Sequence, residues 1–214
     1  MQLLTGWRRN LEELLYHQSG LVLLHATLFI IGVIFGALAL RSLDNATRLD
    51  LLRLLSDSVG VLEGGPEAAG GLLFREALIR QGKQLALFWV LAISLVGVLG
   101  IMLLTLLRGF VSGFTVAFLA AELGGRGILL AAAGHLPQSL LEVPALILGA
   151  TASVAFAAEV IRSWRVRRRL AGFYAALARY TATLLSAGVL LAGACLVEGY
   201  LTPSLVRWVS SLWP

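Results

Sequence analysis

Residues 21 to 40 read LVLLHATLFIIGVIFGALAL, a run of twenty residues without Asp, Glu, Lys or Arg that ends at Arg41. The hydrocarbon core of a bilayer is about 30 Å thick, so a helix needs about 20 apolar residues to cross it. This run meets the requirement and predicts a membrane-spanning helix. The rest of the chain is placed relative to it.

The composition excludes a water-soluble fold. Of the 214 residues, 58% are hydrophobic and 14% are charged, and the mean hydropathy is +0.87, whereas a soluble domain carries about 25% charged residues. We expect an all-α integral membrane protein built as a single domain in the lipid bilayer. The net charge of +5 does not indicate nucleic acid, because the arginines lie between the apolar runs. The single cysteine, Cys195, excludes an intramolecular disulfide.

The apolar runs predict a bundle of about five transmembrane helices. The expected spans are about 21–40, 84–104, 109–121, 138–160 and 181–198, with a polar outer segment at 41–83 and an Arg-rich inner loop at 161–179. The run 109–121 is short for a span, and with 128–133 it could instead form a re-entrant hairpin.

Arginine placement decides between these two alternatives. The basic clusters at Arg8–Arg9 and at 162–169 are both expected to be cytoplasmic, so an even number of crossings separates them. The run 109–121 must then cross, and 122–136 lies at the outer face with 128–133 dipping into the interface. This predicts a multi-pass protein of the cell membrane with its N-terminus in the cytoplasm and its C-terminus outside.

Three amphipathic helices are expected at the membrane surface. They comprise an N-terminal helix with Leu4, Trp7, Leu11, Leu14 and Leu15 at helical spacing, a helix at about 44–62 in the outer segment, and a C-terminal helix with Leu205, Trp208, Val209, Leu212 and Trp213 on one face. A further helix is expected to begin near Leu72 and to continue unbroken into the span 84–104.

Small residues recur four positions apart at Gly32 and Gly36 in the first span, and at Gly109 and Gly113 in the third. This spacing lets helix backbones approach closely. We favour packing within one bundle, and a homodimer interface is the alternative.

Ionisable residues at membrane depth are the candidate polar or partner site. Glu142 lies near the outer end of the fourth span, with His135 and Gln138 seven and four positions earlier on the same helical face, and Glu198 lies at the outer end of the fifth. A carboxylate near the bilayer centre costs about 2.5 to 3.5 kcal/mol, so its presence needs a reason. One hypothesis is a site for an ion or a partner.

The competing hypothesis is structural. Glu142 would bond His135 or Arg126 and so fix the outer loop, while Glu159 would form a solvated pair beside Arg162 near the inner interface. We favour the structural hypothesis.

Catalytic motifs are missing from the sequence. There is no His-Glu-x-x-His pair, no Gly-x-Ser-x-Gly elbow and no phosphate-binding loop, and the segment around Ser112 has the wrong spacing for an intramembrane serine protease. The chain is therefore expected not to be an enzyme, with no catalytic residue, cofactor or metal site.

Several blocks of sequence together resemble a known family. They are Gly32–Ala37, Trp89–Val98, Arg108–Leu119, Leu136–Ala145 with its Leu-Pro-Gln and Glu-x-Pro elements, and Val197–Pro203, which reads Glu-Gly-Tyr-x-Thr-Pro from Glu198. In order, spacing and total length the chain is similar to the stage II sporulation protein M family.

The resemblance implies a non-enzymatic membrane scaffold. It would anchor and recruit a peptidoglycan-degrading complex, with stage II sporulation proteins D and P as partners, for septal thinning and forespore engulfment in the septal or engulfing membrane of a sporulating bacterium. The alternative is a small transporter or channel that uses Glu142, His135 and Glu198. No inverted repeat is visible and the inner halves of the spans lack matching polar residues, which favours the scaffold.

Overall fold

The computed structural model describes residues 18–63, 66–165 and 170–211, and all regular structure within these ranges is helical. The elements are α1 (Ser19–Ala39), a 3₁₀ turn (Leu40–Ser42), α2 (Asn45–Glu63), α3 (Pro66–Leu91), α4 (Leu95–Arg165), α5 (Leu170–Leu196), a π-helical turn (Val197–Leu201) and α6 (Thr202–Ser211). The expected N-terminal amphipathic helix and the last three residues of the tail lie outside the described residues.

Among the residues that the structure describes, three segments are long and apolar enough to cross a membrane. They are Ser19–Ser42, Val96–Arg162 and Phe173–Ser211. The protein is therefore an all-α membrane protein, as its composition indicates.

Helix α4 is a hairpin of two arms that meet at Gly124. This glycine has φ 58° and ψ −133°, and residues with a Cβ rarely adopt such a positive φ. It is the only residue inside the element whose backbone is not helical. Leu119 and Gly127 meet across the bend, where a Cβ on Gly127 would collide with the Leu119 carbonyl. We call the arms α4a (95–123) and α4b (125–165).

The second predicted span, 84–104, is not one helix. Helix α3 ends at Leu91, residues 92–94 turn, and α4 begins at Leu95. The turn is tight, because the Ser94 amide donates to the Leu91 carbonyl at 3.1 Å and a Cβ on Gly97 would collide with that carbonyl. The short run 109–121 is consequently the second half of α4a, which at 1.5 Å per residue is about 42 Å long.

The predicted outer loop is also absent from the described chain between 122 and 136. These residues continue the two arms of α4, and only Gly124 departs from helical geometry. A glycine pair at the bend suffices to reverse the chain, so the segment 128–133 forms part of α4b rather than a separate dip into the interface.

Helix α1 packs against α4a at very short range. A Cβ on Gly32 would collide with the Leu106 carbonyl, and one on Gly36 with the Phe110 carbonyl. Reciprocally, Gly109 faces the Phe29 backbone and Gly113 faces the Val33 backbone. The partner positions rise together along both helices, so α1 and α4a run parallel, with all four glycines of the small-residue pattern in this contact.

Helix α3 runs antiparallel to α5 along its whole apolar length. The Trp89 indole nitrogen lies 3.4 Å from the Thr181 hydroxyl, and Gly70 and Phe74 pack against Gly199 at the other end. Residues 70–89 of α3 thus lie level with residues 181–199 of the α5 and π-turn segment. This placement differs from the predicted position of residues 41–83 in an outer polar segment.

The core lies where α3, α4b and α5 meet. The Tyr180 hydroxyl donates to the Phe88 carbonyl at 3.0 Å and lies 2.9 Å from the Ser153 hydroxyl, while its ring stacks on Phe156 at 4.7 Å. All four residues are buried. This network lies toward the end of the bundle that holds the 92–94 turn, which we call the turn end. The opposite end holds the Gly124 bend and α6 and is called the α6 end.

The turn at 92–94 makes a direct prediction. An Ile93→Cys variant, in a Cys195→Ala background, should react with a membrane-impermeant maleimide in open membrane fragments, because Ile93 is 52% exposed at an end of the bundle. A cysteine at Leu185, 67% exposed midway along α5, is the matched control and should not react. If a cysteine at position 93 failed to react in open fragments, the result would instead support the predicted continuous span 84–104.

Candidate functional site

Residues His135, Gln138 and Glu142 share one face of α4b, as their spacing predicts. The Gln138 amide nitrogen lies 3.4 Å from His135 Nδ1, and Gln138 is 8% exposed. Glu142 is 4% exposed. The three side chains form a polar strip directed into the bundle.

Glu142 forms an ion pair with Arg108 of α4a. The side chains are 6% and 23% exposed, so the pair is largely buried between the arms of the hairpin. The expectation that Glu142 bonds His135 or Arg126 was wrong about the partner. Arg126 lies sixteen residues earlier on the same arm, about 24 Å by the helical rise, whereas the bend brings Arg108 directly opposite.

Glu198 lies in the π-helical turn and pairs with Arg80 of α3. One guanidinium nitrogen lies 2.6 and 2.7 Å from the two carboxylate oxygens, with the Glu198 side chain 17% exposed. A π turn inserts an extra residue into a helix and is frequent at functional sites. Here it places Glu198 against α3 and Gly199 against the Phe74 backbone.

The two ion pairs lie close enough to interact. Arg108 is within electrostatic range of Arg80 and Glu198, and His135 is within range of Arg108, Arg80 and Glu198. We call Arg80, Arg108, His135, Gln138, Glu142 and Glu198 the central polar cluster. Its two cations and two carboxylates balance when His135 is neutral, which keeps the cost of placing charge in the bundle low.

The structure thus brings together all four residues of the predicted polar site. Sequence reasoning missed their partners, Arg80 and Arg108, because it assigned Arg80 to an outer segment and Arg108 to a turn between two spans. The signal that could have corrected this was Ser94 with Gly97, a helix-capping residue followed by a glycine, inside the supposed span 84–104.

The Gln138 carbonyl oxygen of the cluster is buried without a hydrogen-bond partner, and so are the two amide atoms of Gln81 on α3. Glu142 Oε1 makes no hydrogen bond either, but it is in the ion pair with Arg108. Within the described ranges, no group of three or more His, Cys, Asp or Glu side chains could hold a metal ion. The arrangement is a set of salt bridges between helices, and chemically it can hold α3, α4a, α4b and α5 in register.

Glu159 also forms a different pair from the one expected. Its carboxylate accepts from Arg179 of α5 at 3.0 Å, with side chains 52% and 65% exposed, rather than from Arg162. The pair joins α4b to α5 at the turn end, where solvent or headgroups screen it.

The family model of stage II sporulation protein M matches residues 25–203. Neither the curated proteins nor the solved structures contain a match to the chain. The matched region runs from α1 through the π-helical turn and includes every residue of the central polar cluster. The chain therefore belongs to the stage II sporulation protein M family, which makes it a sporulation-related membrane protein.

Proposed function

We propose that this protein is a non-enzymatic membrane scaffold that anchors and recruits the peptidoglycan-degrading complex of stage II sporulation proteins D and P during septal thinning and engulfment. Family membership supports the sporulation context. The single observation that carries the scaffold role is that the carboxylates inside the bundle, Glu142 and Glu198, each have an arginine partner. Their charge is used to join helices.

The proposed topology has five crossings: α1, α3, α4a, α4b and α5. The parallel packing of α1 on α4a supports this count, because the chain must return between them, and α3 is the helix that makes the return. By the positive-inside rule, the arginine-rich sequence that begins at Arg162 favours a cytoplasmic side for the end of α4b, and we assign the turn end to the cytoplasm on this basis. The α6 end then faces the outside, where the hydrolases act.

The outer end offers a platform built from three elements, which are the start of α2, the bend of α4 and helix α6. Helix α2 begins there, and its Arg48 forms a salt bridge with Glu122 beside the bend of α4, with the two charged groups 3.0 Å apart. Helix α6 packs on the other arm, with Val206 against Gly134. Trp208, 63% exposed, and Leu201, 48% exposed, add apolar surface at this end. The platform is the surface on which we place the partners.

The rival proposal is a transporter or channel through Glu142, His135 and Glu198. A proton or ion path needs polar side chains that continue across the bilayer. Toward the turn end, the described α3–α4b–α5 core is mainly apolar and includes Phe88, Leu146, Phe156 and Leu184. The polar groups buried there on α4b and α5 are hydroxyls, among them Thr151, Ser153 and Tyr180, and not carboxylates, which favours the scaffold.

Affinity capture tests the scaffold. Tagged protein from sporulating membranes should retain stage II sporulation proteins D and P, and Arg48→Ala should reduce the captured amount several-fold by releasing α2 from Glu122. The matched control is Asp50→Asn, which removes an exposed pair with Arg53 at 3.4 Å on the same helix. Its capture should equal wild type.

Melting temperatures of both variants in detergent should stay near wild type, since partly exposed pairs stabilise little. If Arg48→Ala captured both hydrolases in the wild-type amount, the platform would be removed from the proposal. Ion flux in liposomes that disappears with Glu142→Gln would replace the scaffold by the transporter.

A further inference from the structure

Helix α3 presents charged side chains on the face that points away from the bundle. Its buried face carries Gly70, Ala77, Gln81 and Phe88. The opposite face carries Leu72, Arg75, Glu76, Ile79, Lys83, Ala86 and Val90, all exposed, and we call it the free face of α3. A helix that lies beside α5 at membrane depth would normally present only apolar residues on such a face.

The charges of the free face have no partner within the part of the chain that the structure describes. Arg80, on the flank, is neutralised by Glu198, but Arg75, Glu76 and Lys83 make no ion pair or hydrogen bond there. Arg75 and Glu76 are adjacent and lie near the outer end. Lys83 stands alone, seven residues or about 10 Å along the axis from Glu76.

Lys83 is the decisive residue because of its depth. It lies eight residues before Leu91, the end of α3, which places its Cα about 12 Å from the turn end of a helix about 39 Å long. The assignment of this depth rests on the proposed five-crossing topology, in which α3 crosses the membrane. The Cα–Cβ bond of a helical residue slopes toward the helix N-terminus, so the Lys83 side chain leaves the backbone in the direction away from the nearer end of α3. An ammonium group at that depth needs a counter-charge.

We propose that the free face of α3 docks a transmembrane helix of a partner protein that carries a carboxylate opposite Lys83. The face has a net charge of one positive unit from Arg75, Glu76 and Lys83, which a carboxylate on the partner helix would neutralise. Isoleucine and valine positions above and below, Ile79 at 46% exposure and Val90 at 59%, supply the apolar contact. The partner contact therefore lies within the membrane, in addition to the outer platform.

A second copy of this chain is a poor occupant. Two copies in one membrane are related by an axis along the bilayer normal, which sets identical residues at the same depth. Lys83 would then face Lys83 of the other copy without a carboxylate at that level. Charge thus selects a different protein over a homodimer at this surface.

The test uses a photoactivatable benzoyl-phenylalanine at position 79 of the full-length chain in native sporulating membranes. We expect a covalent adduct with another membrane protein, whose crosslinked peptide is a transmembrane segment containing Asp or Glu. The adduct should fall at least tenfold with Lys83→Leu. The same probe at Leu185, 67% exposed on α5, is the control and should yield no protein adduct.

Charge exchange separates a specific pair from nonspecific proximity. Lys83→Glu should abolish the adduct, and replacement of the captured carboxylate by Lys should restore it. An adduct of twice the chain mass would assign the face to a second copy. That result, crosslinking to lipid alone, or an adduct that Lys83→Leu leaves unchanged would each overturn the proposal. Hydrolase capture through Arg48 is measured separately, so either idea can fail without the other.

Discussion

Gly36→Leu should strongly destabilise the folded protein in the membrane. A Cβ at this position would collide with the Phe110 carbonyl oxygen and would lie 2.8 Å from the Phe114 amide nitrogen, so backbone rather than a flexible side chain blocks it. Helices α1 and α4a would have to separate along the whole glycine contact. We expect a loss of about 3 kcal/mol or more, which in a chain of this size lowers the melting temperature by roughly 6 to 12 °C.

The measurement is the melting temperature in detergent together with the fraction of protein that elutes as a single species. Gly20→Ala is the matched control on the same helix, because a Cβ there meets nothing within 4 Å. It should behave as wild type. If Gly36→Leu and Gly20→Ala had the same melting temperature, α1 would be held to α4a by something other than close backbone contact.

Glu142→Ala should destabilise the protein by about 3 to 5 kcal/mol, because it leaves the Arg108 guanidinium in the bundle without its counter-charge. Glu142→Gln should cost less, since the amide retains a hydrogen-bond acceptor for Arg108. The double variant Arg108→Met, Glu142→Leu should recover most of the loss, as apolar pairs often replace buried ion pairs at little cost. A double-mutant cycle on melting temperature measures the coupling.

The exposed pair of Glu159 with Arg179 provides the control, and Glu159→Ala should cost no more than about 1 kcal/mol. If Glu142 only joins the arms of α4, captured hydrolase and folded protein should decrease together in each variant. Normal melting of Glu142→Gln with loss of hydrolase capture would instead make this carboxylate a binding group.

Much of the fold follows from local sequence. The lengths of the apolar runs predict an all-α membrane protein, because a helix must satisfy its own backbone in lipid. The glycine spacing predicts close helix contacts, and His135, Gln138 and Glu142 fall on one face because of helical periodicity alone. Each of these properties depends on residues within a few turns of one another.

The tertiary structure decided which helices exist as separate crossings and which charges meet. The turn at 92–94 contains neither glycine nor proline. A prediction from the length of the apolar run therefore merged two helices into one span and placed Arg108 outside the bundle. Helix α3 carries four charged residues between 75 and 83, too many for a span judged by composition. Its contacts on the α5 side include the pair of Arg80 with Glu198, 118 residues away in sequence. Ion pairs at such separation are set by the packing of helices far apart in sequence, so a local pattern does not specify which charges meet.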